Sequence, residues 1–219
     1  MKRTKGFGIL AAAALFACAS AGFAASPSLT DDGLETVKVR DIDKAYKRPG
    51  ASLAAYDSIL IKPVSVAFSK SWDPRDYGGS KSGLSTRDVT KLRTDLAKLA
   101  EESFRRTLTR GGYKVVTEPA AGVLEVKTDI VDLFLNAPDV DPMPMVHNYV
   151  MSVGDMRINA ELRDAVTGTL LYRVSDHKRG EDYGRLEWAN NVWNDAELDR
   201  MLTGWANQLK KALDSARKP

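Results

Sequence analysis

From Met156 to Leu162, apolar Met156, Ile158, Ala160 and Leu162 alternate with Arg157, Asn159, Glu161 and Arg163. A period of two puts the apolar set on one face of a strand and the charged set on the other. Asp164-Ala165-Val166-Thr167-Gly168 reverses the chain, with Gly168 suited to a left-handed position, and Leu170, Tyr172 and Val174 return on a partner strand. Such a hairpin belongs to a sheet that must be covered on one face and can stay wet on the other.

Two amphipathic helices are available as that cover. Ser85-Thr86-Arg87-Asp88 has the form of a capping box, and Val89, Leu92, Leu96, Leu99, Phe104 and Leu108 follow at helical steps before Gly111-Gly112 closes the run. A second helix is predicted from Asn194 or Asp195, burying Leu198, Met201, Leu202, Trp205, Leu209, Ala212 and Leu213. It ends in Lys210, Lys211, Arg217 and Lys218, cations that suit a helix C-terminus. Both apolar stripes read as core.

Further strands are predicted over Tyr56–Phe68, with Pro63 marking a bulge or an edge, over Tyr113–Val116, over Val123–Leu135 with a change of phase near Val131, and over Val150–Leu162. Strand, helix, a run of strands, then helix is an α+β order. The expected architecture is a two-layer sandwich, a mostly antiparallel sheet with both helices on one face. Residues 32–49 show weak periodicity and read as an irregular arm laid over the domain. The expected organisation is therefore a leader over 1–24, a linker and arm over 25–50, and a single domain over 51–219.

The leader has a basic head, Lys2-Arg3-Lys5, and a short apolar run from Gly8 to Ala17, the form of a bacterial secretory signal rather than a membrane span. Two cleavage readings compete. Leu15-Phe16-Ala17-Cys18 resembles a lipobox, with cleavage before Cys18 and acylation of its thiol. Ala19 in the next position then resembles the class sorted to the outer membrane. Gly22-Phe23-Ala24 instead fits a general signal peptidase, leaving a soluble periplasmic chain that starts near Ala25. Either way the three leader cations leave, and the chain's net charge of +3 falls to formal neutrality. The basic pI belongs to the leader, so no nucleic-acid partner is expected. Without its one cysteine the remaining domain has no disulfide and must be held by packing.

Asp32-Gly33-Leu34, Tyr46-Lys47-Arg48-Pro49-Gly50-Ala51-Ser52-Leu53, Tyr56-Asp57 leading into Lys62-Pro63-Val64, and Ala160-Glu161-Leu162-Arg163-Asp164 with Thr167-Gly168 together resemble the DUF3313 family of bacterial envelope proteins. The resemblance runs over roughly residues 30–180 and implies an exported α+β domain, in most members described as a lipoprotein. It brings no catalytic residues. Phe16 in the lipobox departs from the usual member.

Chemistry of other kinds has little purchase. His147 and His177, the only histidines, lie in no motif, and there is no nucleophile elbow, zinc helix or phosphate loop. Asp139 and Asp141 lack the rest of a calcium loop. No catalytic residue, metal set or cofactor is therefore assigned. Two apolar groups are candidate binding surfaces: Met143, Met145 and Tyr149 in a Pro-interrupted connection, which either folds back to cap the open end of the sheet or, if exposed, suits an adaptable partner or lipid surface, and Trp188 and Trp193, which suit sugar stacking or the pinning of a loop. A cluster of Lys38, Arg40, Lys44, Lys47 and Arg48 is a third, either a solvated face or a contact for an anionic surface. The function expected is that of a non-enzymatic envelope protein acting on a protein partner, with a periplasmic module for a small ligand or glycan, or a hydrolase, as alternatives.

Overall fold

The computed structural model describes residues 29–76, 83–136, 152–179 and 191–218, with the backbone alone described for 76, 136, 152–153 and 191–197. In chain order its elements are β1 (Glu35–Val37), β2 (Lys44–Lys47), β3 (Ser58–Ile61), β4 (Ser65–Phe68), α1 (Thr86–Arg110), β5 (Lys114–Val116), β6 (Val123–Asn136), β7 (Ser152–Asp164), β8 (Leu170–Arg179) and α2 (Asn191–Arg217). Eight strands form one sheet in the order β1-β2-β8-β7-β6-β3-β5, with β4 also paired to β6. The long central pairs β6–β7 and β7–β8 are antiparallel, whereas β3 and β4 run parallel to β6, and β3 parallel to β5. This is the α+β sandwich that the strand and helix order implies.

Pro63 splits the long strand predicted over Tyr56–Phe68. Its two halves both pair with β6, Ser58–Ile61 against Val123–Val126 and Ser65–Val66 against Asp129–Ile130. Three residues, Lys62 to Val64, thus face two on β6, because proline cannot donate to the ladder and the chain bulges around it. The bulge is held from outside: the Val64 N–H donates to Glu101 on α1 at 2.9 Å.

A second bulge sits where β6 changes phase. The register with β7 shifts after Val131, and Asp132 adopts a left-handed φ of 52°. Before it Leu124, Val126, Thr128 and Ile130 face the helices; after it Leu133 and Leu135 do. The extra residue therefore returns the strand to the same apolar layer, where unbroken alternation would have sent Leu133 and Leu135 to the open face.

Residues 35–47 differ from the expected irregular arm. They form β1 and β2, and β2 extends the sheet by pairing with β8 from Lys44↔Ser175 to Lys47↔Tyr172. Strands of three and four residues are too short for alternation to show in a sequence, and only Ala45 among them is fully covered.

Helix α1 starts as its capping box implies: Ser85 accepts from the Asp88 N–H, and the Asp88 carboxylate accepts from the Ser85 N–H at 3.0 Å. Gly112, at φ +87°, turns the chain into β5. Helix α2 begins three residues before the expected Asn194, within the usual spread of helix boundaries. The two helices run in the same direction, since Ser103 meets Asp199 and Tyr113 meets Asp214. Their stripes, including Leu96, Phe104 and Leu108 on α1 and Leu202, Trp205 and Leu213 on α2, close over Ile59, Leu124, Ile130, Met156 and Ile158 of the sheet. Each fully covered leucine contributes about 1.5–3 kcal/mol.

Candidate functional site

The face of the sheet away from the helices is lined by alternating charged and polar side chains of β7 and β8. Alternation on β7 points Arg157, Asn159, Glu161 and Arg163 there, and the antiparallel register sets His177, Ser175 and Arg173 of β8 opposite the first three. The side chains are paired across and beyond the strands. Arg173 reaches Asp32 at 2.6 Å and Glu161 at 3.4 Å, and Glu161 also holds Arg163 at 2.8 Å. Asp32 and Glu161 hold the Arg173 guanidinium in its charged form and push its pKa upward, the Asp32 hydrogen bond contributing most.

Toward the other end of the same face, Asp155 accepts from Arg179 at 3.1 Å and stands 3.0 Å from His177 Nε2. Arg157 lies between Asp132 at 3.7 Å and Asp43 at 4.0 Å, and Asp43 accepts the His177 backbone N–H. Chemically this is a lattice of alternating charge, with each carboxylate already serving one or two cations. His177 thus faces a carboxylate and two arginines. Among the described residues no group of three His, Cys, Asp or Glu is placed to hold a metal ion.

Past the C-terminal ends of β3 and β5, an open groove of ≈ 400 Å³ runs beside the Pro63 bulge, lined by Lys62, Pro63, Arg105, Glu118, Pro119 and Glu125 among others. Its polar, shallow form suits solvent better than a drug-sized ligand, which is normally enclosed by mostly apolar walls.

Under the sheet, α2 is fixed at three carboxylates. Trp205 donates from Nε1 to Asp176 at 2.6 Å, and the other oxygen of Asp176 accepts the Asp43 N–H at 3.0 Å. Asp199 accepts from Ser103 and from Arg106 at 2.6 Å; burial pushes its carboxyl pKa up, but these two donors outweigh that and leave it below the ordinary value. Asp214 accepts from Lys210 and from the Tyr113 hydroxyl at 2.7 Å, which also holds its pKa down. Beside Trp205, the Lys178 ammonium lies 4.7 Å from the ring centroid, and burial there depresses its pKa.

Of the residues singled out in the sequence, Cys18, Met143, Met145, Tyr149 and Trp188 lie outside the described residues. Trp193 falls in the first turns of α2, where only the backbone is described. The basic cluster of residues 38–48 is dispersed rather than gathered. Arg48 binds the carbonyls of Leu170 and Asp32, Lys47 lies over the Tyr172 ring, and Arg40 stands exposed beside Asp41. Hairpin alternation foretold Arg157, Glu161 and Arg163; their partners Asp32, Asp43 and Asp132 come from loops and a bulge that carry no such period.

No helix among the described residues is long and apolar enough to cross a membrane. No curated protein is similar to the chain in sequence. Among solved structures, the PelC dodecamer from Paraburkholderia phytofirmans is 16% identical over 76% of this chain and 96% of that one, with a TM-score of 0.41. Protein XCC0632 from Xanthomonas campestris is 11% identical over 74% and 85%, with a TM-score of 0.37. Lipoprotein GNA1162 from Neisseria meningitidis is 15% identical over 70% and 98%, with a TM-score of 0.29. A family model described as a protein of unknown function, DUF3313, matches residues 24–209, and the chain belongs to that family.

Proposed function

We propose that the chain is an exported envelope protein, held through acylated Cys18 at the periplasmic face of the outer membrane, that acts by presenting its folded domain to a protein partner rather than by catalysis. The observation that carries this reading is the condition of the open sheet face. On it Asp32, Asp43, Asp132, Asp155 and Glu161 each lie beside an arginine, a broad surface of alternating charge of the kind that meets a charge-complementary protein. The leader supports the location: the domain's first described residue, Leu29, lies eleven residues beyond Cys18, a tether of up to about 35 Å.

The test is the intact mass of the protein extracted from membranes of its native host, beside a Cys18→Ala form, with fractionation and cross-linking of both. A diacylglycerol-modified Cys18, loss of the variant from the membrane and a cross-linked protein partner are expected. A soluble, unmodified chain starting near Ala25 would overturn the anchor and favour the free binding module.

A further inference from the structure

The ends of α1 and α2 lie together, and they gather cations. Gly111 sits so close to Lys210 that a Cβ there would stand 2.7 Å from its Cε, so the side chain of one helix crosses the terminus of the other. By their places at or just past the last turns of α1 and α2 and at the first residue of β5, Arg110, Lys114, Lys211 and Lys218 flank this junction, with Arg106, Lys210 and Arg217 beside them. Asp199 and Asp214 take up Arg106 and Lys210. Arg217 turns inward, donating to the Tyr56 carbonyl at 2.6 Å and covering the Tyr113 ring. Arg110, Lys114, Lys211 and Lys218 are exposed and form no ion pair within 4 Å among the described residues, although Arg110 shares the field of Asp199 with Arg106. The negative ends of two helix dipoles, about half a charge each, do not cancel this surplus.

The carboxylates at the same end of the molecule are fewer than the cations: Asp57, exposed at the foot of β3 beside Lys114 in the register, offsets one of them, and the others lie toward the sheet side. Asp32 is bound by Arg173, and Asp164 serves the hairpin turn and the Tyr56 hydroxyl. The entry of the chain lies at this end too: Leu29 bridges to Glu35, and the following turn is tied by Arg48 to the base of β8. From the β1 edge to β5 the sheet is roughly 30 Å wide, a distance that a tether of eleven residues covers.

We infer that the junction of the α1 and α2 C-termini is a docking surface for an anionic lipid bilayer, so that the domain stands on the membrane with its helix ends down and its open sheet face upright beside it. This rests on the anchored reading for its orientation, but the surface itself does not need the acyl group. Uncompensated lysines and arginines near an anionic bilayer each strengthen binding roughly fivefold, within a Debye length of the surface.

The test uses the chain from residue 18 onward carrying Cys18→Ala, so that leader and acyl group are both absent and the result is independent of whether Cys18 is modified in the cell. Its cosedimentation is compared on vesicles of equal parts phosphatidylglycerol and phosphatidylcholine and on vesicles of phosphatidylcholine alone. Binding to the first only, falling as salt is raised, is expected. The pair Arg110→Gln and Lys211→Gln, both exposed, should lower it at least tenfold with no change in melting temperature, whereas Lys38→Gln with Arg40→Gln at the β1–β2 turn should leave it unchanged. Equal binding to both vesicles, no binding to either, or indifference to the Arg110 and Lys211 pair would overturn the proposal.

Discussion

The indole N–H of Trp205 donates to Asp176 at 2.6 Å, joining the middle of α2 to β8 through a carboxylate that is only 4% exposed. The second oxygen of Asp176 takes the Asp43 N–H, so one buried side chain ties the last helix, the last strand and the turn that leads into β2. A buried carboxylate is tolerable only with its acceptors filled, and here both are.

Asp176→Ala should therefore cost more than a surface change. It strands the buried Trp205 N–H, at about 1–3 kcal/mol, and frees the part-buried Asp43 N–H, which water can reach, so a loss of about 2 kcal/mol in urea unfolding is expected. Asp176→Asn keeps one acceptor and should lose roughly half as much. A loss for Asp176→Ala within the ±0.5 kcal/mol usual for surface substitutions would show that α2 docks without this bond.

Gly204 separates two opposing effects. A Cβ there would lie 2.8 Å from Lys178 Nζ, the far end of a flexible side chain lying on Trp205. Gly204→Ala gains about 1 kcal/mol of helix propensity and loses about 0.5–1 kcal/mol of cation–π contact as Lys178 moves aside. The net change in stability should be close to zero. In a Lys178→Met background the same substitution should stabilise by nearly the full amount, provided Met is turned off the helix. A double-mutant cycle measures the difference, and strict additivity would contradict this account.

Asp132 holds its left-handed conformation at the β6 bulge with an exposed side chain, and its ion pair with Arg157 is long. Such a pair contributes at most about 1 kcal/mol and commonly nothing, whereas the left-handed backbone costs a non-glycine residue about 1–2 kcal/mol. Asp132→Gly is expected to stabilise by a few tenths to about 1 kcal/mol, after glycine's own entropic cost. Asp132→Val, branched at Cβ, should destabilise clearly and loosen Leu133 and Leu135. Thermal unfolding of the two variants in opposite directions is the readout.

How far these features could be read from the chain follows their range. Ser85 with Asp88, the Asp164–Gly168 reversal and the alternation on β7 are local, so their residues announce them. The Pro63 and Val131 irregularities were legible as breaks in phase, but not their consequence: that both halves of a split strand pair with β6, and that Leu133 rejoins the apolar layer. β1 and β2 were missed because strands of three or four edge residues carry no period. The parallel pairing of the helices was missed because it is set by Asp199 and Asp214 meeting residues about a hundred positions away.

Those two carboxylates also contribute to how the domain should respond to pH. Lys210 and then Tyr113 lower the pKa of Asp214, and Ser103 with Arg106 lower that of Asp199 against its burial. A carboxyl depressed in the folded state stabilises it above the unfolded value near 3.9, and that contribution fades as pH falls through the folded value. The Tyr113 hydroxyl behaves oppositely. Burial and its bond to Asp214 raise it to about 12, above its unfolded value near 10. Its contribution is complete below about 10 and is lost as pH rises toward 12. Stability measured by urea unfolding should thus be flat through neutrality, fall below about pH 4 and fall again above about pH 10. In Asp214→Asn both the acid loss and the alkaline loss should shrink, because this carboxylate contributes to each, while Asp199, Asp164 and Tyr56, the last raised to about 12 by burial and Asp164, keep the remainder. A variant that keeps the wild-type slope on both sides would separate Tyr113 from Asp214 and remove this junction from the account of how α2 is held.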